Sequence, residues 1–527
     1  MSDSRAHRIE RAPGAGRNPA LWCAVKRGGA LIVLLGGGML GGAAWLTASG
    51  GQAPVAELAV ETTTSTMTTI AVTTLPLTTT STLPVRPEGT APAWTVGTPW
   101  GTTPGLTMFR GNPSRTWYGT GPLPTEPKVR WQFPDQPMSG FSAVGGNAKQ
   151  WCGTGWTGQP VVWERPDGVT EVIFGAYDKA VHFLDAATGE PTRPEFRVGD
   201  IIKGSVTLDP DGYPLLYFGA RDNKLRIVAL DREIPMELWS LDARAVDGLW
   251  NDDWDGNPAI IDDILYEGGE NGWFFAVALN RTTGGDGLVT VAPEILVQMP
   301  GYNKELLAVA GSNVSIESSV AVFDHTVYFA NSGGRVVGLD ISEVRSGQAP
   351  VVFDYWVGDD VDATVVADAE GQLYVSVELE RFNQRGKELG QLIKLDPTQP
   401  DEPYVWGVPV PAAHGVGGIW ATPALGSGVL YVTTDPGELV AVDTDDGEVV
   451  WRESVGWHAW SSPVLADDRM AVVTCEGQLR LYDISTPASP RPISSLQVSP
   501  SCIESTPALW GGRLYFGSRD GFFYSVG

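Results

Sequence analysis

WATPALGSGVLYVTTDPGELVAVDTDDGEVVW, residues 420–451, holds one complete repeating unit of this chain. A small-residue lead-in ending at Pro423 opens an apolar run, and a second run, VLYVTT, turns through DPGE into a third that ends at Asp443. TDDG then turns into a fourth run that carries Trp451. Short runs rich in Val, Leu and Tyr, separated by Gly- and Asp-bearing turns, read as antiparallel strands joined by hairpins.

The lead-in recurs on both sides as TGQPVVW, KGSVTLD, DGNPAII, ESSVAVF, DATVVAD, WSSPVLA and ESTPALW. Its Pro or Val stands at Pro160, Val206, Pro258, Val320, Val365, Pro423, Pro463 and Pro507, about 50 residues apart. The third run ends at Asp185, Asp231, Asn280, Asp340, Asp396, Asp443 and Asp483 in seven units, and the fourth often carries Trp, as at Trp239, Trp406 and Trp451. Four short strands in each unit of about 50 residues is the arithmetic of a propeller blade. The eighth unit runs to Gly527 without a fourth strand, whereas KVRWQF at 128–133 is a fourth-strand sequence with no unit of its own. Placed outermost on the last blade, it closes the ring and leaves no hanging edge. The expected fold is all-β: an eight-bladed β-propeller over residues 106–527 whose last blade is closed by an N-terminal strand.

Upstream the composition changes twice. Residues 1–27 carry Arg5, Arg8, Arg11, Arg17, Lys26 and Arg27 against Asp3 and Glu10, and no charge occurs from Gly28 to Ala48. That apolar run is long enough to cross a bilayer as a helix, with the basic tail cytoplasmic and everything downstream outside. A cleaved signal peptide is the rival reading, with the cleavage zone near Ala48 to Ala53. Residues 49–105, which include ETTTSTMTTIAVTTLPLTTTSTLP, read as a disordered Thr/Pro-rich stalk open to O-glycosylation. The expected location is therefore the cell membrane, single-pass, with an extracytoplasmic propeller.

Of 527 residues, 43% are hydrophobic and four are Cys, which excludes both a disordered chain and a small disulfide-stapled scaffold. The formal charge is −26, and without residues 1–27 there remain 30 basic against 60 acidic residues. Such a chain repels phosphate backbones, so no nucleic-acid partner is expected. HExxH, GxSxG, GxxxxGK[ST] and CxxC are all absent from the sequence.

The opener MFRGNPSRTWYGTGP (108–122), the Ser/Thr-Pro lead-ins, and Asp443, Gly447 and Trp451 of the first-quoted unit resemble the pyrroloquinoline-quinone-like (PQQ-like) β-propeller repeats. The resemblance covers about 420 residues and implies the fold. Its members include quinone-dependent alcohol dehydrogenases, envelope assembly lipoproteins of the BamB type, and extracytoplasmic binding modules. The dehydrogenase branch implies a flat tricarboxylate over a Trp, beneath a disulfide between adjacent cysteines, with Ca²⁺ held by Glu, Asn and Asp. No Cys-Cys pair occurs here, and Trp250 to Asp255 only partly match that branch's Asp/Trp segment. A non-catalytic binding or scaffolding module without quinone is expected, for an envelope protein, peptide or glycan, with the dehydrogenase and the BamB-like assembly factor as alternatives. A monomer is expected.

Two residues before the Ser, Thr, Gln or Asn of each lead-in stand Thr157, Lys203, Asp255, Glu317, Asp362, Trp420, Trp460 and Glu504. In a propeller this position begins the innermost strand, so these side chains should ring one mouth of the central channel. They suit a cation or a small polar ligand; a water-filled mouth would be polar without one. Trp156, Trp250, Trp254 and Trp457 lie in the same loops and are candidates for an aromatic surface, or for loop packing. Asp252, Asp253 and Asp255 are a candidate Ca²⁺ group, although an EF-hand's bidentate Glu is lacking. His414 and His458 are weak zinc candidates. Cys152 and Cys502 each shortly precede a lead-in, of blades one and eight, so a Cys152–Cys502 disulfide stapling the closure is expected.

Overall fold

Lead-ins are tied to the next blade by hydrogen bonds around the hub of the computed structural model. Seven of the eight junctions use backbone N–H groups, and between blades two and three the Asn257 side chain donates to the Ser205 carbonyl. The structure describes residues 96–144, 147–156, 158–413 and 417–527. The backbone N–H of Gln159 donates to Ser205 Oγ, Asn257 to Ser319, Ser319 to Thr364, Thr364 to Thr422, Thr422 to Ser462 and Ser462 to Thr506. Thr506 N–H returns to the Gly158 carbonyl at 3.0 Å. A Ser or Thr just before the innermost strand supplies an acceptor where the neighbouring blade offers a buried N–H, which must find a partner. That requirement explains the recurring hydroxyl of the lead-in.

Eight sheets of at least four antiparallel strands follow around this hub. Blade six, the unit quoted first, takes Ala424–Leu425, Val429–Thr433, Glu438–Asp443 and Val449–Ser454 in spatial order. Blade eight pairs Val129–Phe133 antiparallel with Phe523–Val526, so the N-terminal strand does close the ring. The cores lie between blades: Tyr431 and Ala441 of blade six, Val473 and Leu481 of blade seven, and Phe516 of blade eight belong to one buried cluster. Outer strands dock through a Trp laid on a glycine turn of the next blade. Trp406 covers Gly447, where a Cβ would come within 2.7 Å of the indole, and Trp131 covers Gly189 in the same way. Both glycines have positive φ, 77° in each case, so the turn needs glycine twice over.

Four elements were not foreseen. A hairpin, Ser139–Val144 with Asn147–Cys152, stands between the closing strand and blade one. A smaller one, Thr282–Thr283 with Val289–Thr290, sits inside blade three. The irregular inserts 301–315 and 380–390 hold the helices Lys304–Ala310 and Gln384–Leu389, N-capped by Asn303 and Asn383.

The opener, with residues 100–107 that lead into it, crosses the far end of the hub and touches every blade. Gly105–Leu106 pairs with Val162–Trp163 of blade one, and the Thr107 carbonyl accepts from Leu208 N–H of blade two. Trp100 Nε1 donates to Ile260 of blade three, while the Pro113 and Ser114 carbonyls accept from Val322 and Ala367 of blades four and five. Tyr118 Oη accepts from Leu425 N–H of blade six, and Thr120 N–H donates to Leu509 of blade eight. Two fully buried arginines lock it. Arg110 donates to the Thr422, Pro423 and Pro463 carbonyls of blades six and seven, and Arg115 to the Val320 carbonyl and Asn257. The hub is therefore plugged at this end.

The expected tail 1–27, the membrane span 28–48 and the stalk up to residue 95 lie outside the described residues. Among the described residues no helix is long and apolar enough to cross a membrane. The disulfide expectation is corrected: the bond joins Cys475 to Cys502, 27 residues apart in sequence. Cys475 lies on the turn between the second and third strands of blade seven, which returns to the mouth end. There it meets the loop that leads into blade eight, so neighbouring blades are stapled rather than blades one and eight.

Candidate functional site

The lead-in loops converge on a cup of about 540 Å³, its open mouth included, at the end of the hub opposite the plug. Phe109 of the plug is part of its lining, and so are Trp156, Asp255, Glu317, Asp362, Trp420, Trp460 and Glu504. The structure thus gathers six of the sequence-selected ring positions around one cavity, while Thr157 lies outside the described residues. Each is placed by the hub bond two residues downstream, so the register of the ring and that of the cup are one.

Lys203 is pulled aside from the cavity. Its ammonium pairs with Asp255 and, at 3.0 Å, with Glu270, and it lies 4.8 Å from the Trp156 ring centroid. Arg221 Nε pairs with Asp253 at 2.6 Å, and Asn251 donates to Glu270 Oε2 at 2.8 Å. Asp253, Asp255 and Glu270 are all buried and form one carboxylate cluster. Burial, with Glu270 adding to it, pushes Asp253 up to about 8, against Arg221 and Lys203. Burial raises Asp255 well above the carboxylate range as well. Against burial, Lys203 and the Asp255 hydrogen bond hold Glu270 well below that range, so Glu270 is the anion of the group. Of the Ca²⁺ candidates, Asp253 and Asp255 share this cluster, but Asp252 is not in it. The side-chain cations Lys203 and Arg221 already sit against its carboxylates. Asp360, Asp362 and Glu378 make a second cluster across the cup, with Arg381 at 3.8 Å from Asp360.

The aromatic candidates separate. Trp420 and Trp460 stack at 4.6 Å with an interplanar angle of 16°, and Trp156 leans on Trp420 at 5.4 Å. Trp460 Nε1 donates to Asp435 Oδ1 at 2.6 Å, and the Cys475–Cys502 bridge packs beside it. Trp457 is 43% exposed at the rim. Trp250 is half-buried and does not line the cup. Trp254 is no surface residue: it is fully buried between blades two and three against Phe275, in the space left by Gly219. His458 is held by Asp435, its Nδ1 2.7 Å from the backbone oxygen; His414 lies outside the described residues.

One hub residue escaped sequence reasoning. Glu267, on the second strand of blade three, is fully buried, and neither of its carboxyl oxygens has a hydrogen-bond partner. Burial raises its carboxyl well above the ordinary range, against the pull of Arg115. The folded state thus favours the protonated form, a contribution present at acid pH and lost as pH rises through the raised value. Glu267→Gln should gain about 1–3 kcal/mol over wild type at pH 8 and little at pH 4, as read by denaturation at both pH values. Equal stability at pH 8 would refute it.

A family model described as "Outer membrane protein assembly factor BamB" matches residues 378–488. A curated protein with that same description, from Shewanella oneidensis, is 30% identical over 94 residues. Over residues 378–488 the chain thus matches the PQQ-like β-propeller repeat. The curated match spans 18% of this chain and 24% of the relative's length. Of solved structures, the quinohemoprotein alcohol dehydrogenase of Comamonas testosteroni superposes with TM-score 0.53 at 14% identity, covering 80% of each chain. BamB from Moraxella catarrhalis superposes with TM-score 0.49 at 16% identity, covering 76% of this chain and 97% of that one. The quinone tricarboxylate implied by the dehydrogenase resemblance does not fit the residues of this cup. Its lining holds four carboxylates and, among the described residues, no Lys or Arg, and its disulfide joins separated cysteines.

Proposed function

We propose that this chain is an extracytoplasmic binding module, held at the cell membrane by its N-terminal segment, that presents the hub cup to an envelope protein, peptide or glycan. The observation that carries the reading is the cup itself, blind because the opener fills the far end of the hub. A blind cavity with convergent polar groups is the usual form of a ligand site. The assembly-factor description of the matching family model and curated relative supports an envelope partner. Among the described residues of the cup no nucleophile is paired with a base, which supports binding rather than turnover.

The test is cross-linking in native membranes, with a photoreactive residue replacing Trp457 at the rim in the full-length chain. A control probe replaces Val352, which is 46% exposed on the outer strand of blade four. Cross-links from the rim and not from the outer strand are expected. Cross-links from the outer strand alone, or quinone-dependent dye reduction by the purified chain, would refute the reading.

A further inference from the structure

We infer that blade one carries a site for a divalent transition-metal ion of the zinc class, held by His182 and Glu195 with Asp178 behind the imidazole. The three residues bring ligand atoms within 4.8 Å of one another, and none of them lines the cup. His182 lies on the third strand of the blade, Ala180–Asp185, and is 5% exposed. Phe133 of the closing strand and Phe174 flank its ring, each with 5.3 Å between centroids, and so fix its orientation.

The hydrogen bonds decide which nitrogen is available. Nε2 stands 3.1 and 3.0 Å from the two carboxyl oxygens of Asp178. A carboxylate can only accept, so the neutral imidazole carries its hydrogen on Nε2 and its lone pair on Nδ1. Nδ1 makes no hydrogen bond among the described residues, and Glu195 Oε2 faces it at 3.7 Å. Two acceptors opposed at that distance repel unless a cation stands between them. The gap is too long for a hydrogen bond, but two metal–ligand bonds of about 2.1 Å span it at an angle near ~120°. Arg197 pairs with Glu195 Oε1, which turns Oε2 toward the imidazole. Both ligands are therefore oriented from behind, as metal ligands usually are.

Blade two shows independently what such a frame holds. His182 is paired across the ladder with Phe174, and Arg226 with Phe218, so the two positions are equivalent. An Asp stands four residues before each, and the outer strand or its approach supplies a Glu to each. In blade two the Arg226 guanidinium joins Asp222 to Glu237, the latter at 2.9 Å. There the chain provides the cation; in blade one it provides a metal ligand at the same place. The link also has more to do in blade one. Its outer strand, Phe196–Arg197, is two residues long, against five to seven in the other blades. An ion bridging Glu195 to the third strand fastens that short strand beside the closing joint. Imidazole nitrogen suits zinc, cobalt or nickel, whereas calcium and magnesium take oxygen ligands. Glu195 is 37% exposed, so water completes the coordination.

The test is calorimetric titration of the purified, tag-free full-length chain, stripped with chelator, with zinc chloride. Binding of one zinc ion in the micromolar range is expected, with cobalt competing and calcium in about hundredfold excess failing to displace it. Glu195→Gln and Asp178→Asn should each weaken binding roughly tenfold to hundredfold, and His182→Gln should abolish it. Circular dichroism of each variant reports whether it has folded. X-ray absorption of zinc-loaded wild type needs no variant and should find one imidazole, with oxygen ligands for the rest. Saturation only at millimolar zinc, wild-type affinity in His182→Gln, a second imidazole or any sulfur on the zinc, or displacement by calcium overturns the inference.

Discussion

Arg110→Met should lower the stability of the propeller by about 3–5 kcal/mol, because three buried carbonyls lose a charged donor at once. Arg110 Nη1 reaches Pro463 at 2.5 Å, and Nη2 reaches Thr422 and Pro423 at 2.8 and 2.5 Å. Its guanidinium also lies 4.7 Å from the Tyr118 ring centroid, within the plug itself. Methionine keeps most of the volume, so the loss measures hydrogen bonding rather than a cavity. Lysine should fall between the two, since a single ammonium lacks the fork that spans blades six and seven. Chemical denaturation of the three proteins decides the matter; an Arg110→Met midpoint equal to wild type would show that the plug does not hold the ring.

Removing the Cys475–Cys502 bridge, by serine at both positions, should cost about 3–4 kcal/mol. The bridge closes a loop of 27 residues, and the loss of loop entropy in the unfolded chain accounts for a stabilisation of about that size. The effect reaches the cup because Trp460 packs on the bridge and Trp420 stacks on Trp460. The double variant should therefore show both a lower melting midpoint and a changed tryptophan emission. Non-reducing peptide mapping of wild type should recover Cys475 and Cys502 in one fragment. An unchanged midpoint would leave the bridge without a structural role.

Much of this architecture is legible in the residues because a blade is a local object. The period of the lead-ins, the turn residues and the orphan strand at 128–133 suffice for eight blades and their closure. The lining of the mouth follows from the same register, since one position per blade places six of the eight side chains chosen by alignment alone around the cavity. What depends on distant contacts is not legible. The hub acceptors of Arg110 lie more than 300 residues away in sequence, and no local pattern in the opener reveals them. The cysteine pairing is not legible either, because similar positions in two lead-in loops do not place their sulfurs together. Two different loops of neighbouring blades, a lead-in and a hairpin turn, meet at the same end. For Trp254 the sequence leaves aromatic surface and packing both open, and packing holds because the space opposite it is made by Gly219, on another blade.

The plug has a consequence for the order of events in the chain's life. It is the most N-terminal part of the propeller and is made first, yet it bonds to Leu509 near the other end and to blades throughout. Contacts of such long sequence separation are slow to form. Arg115 finds its acceptors once blades three and four exist, but Arg110 must wait, solvated, until blade seven has left the ribosome. Blades can form one after another during synthesis, but the hub is locked only in a finished molecule. A chain cut short before blade seven lacks the Pro463 acceptor of Arg110 and leaves its plug incompletely fastened.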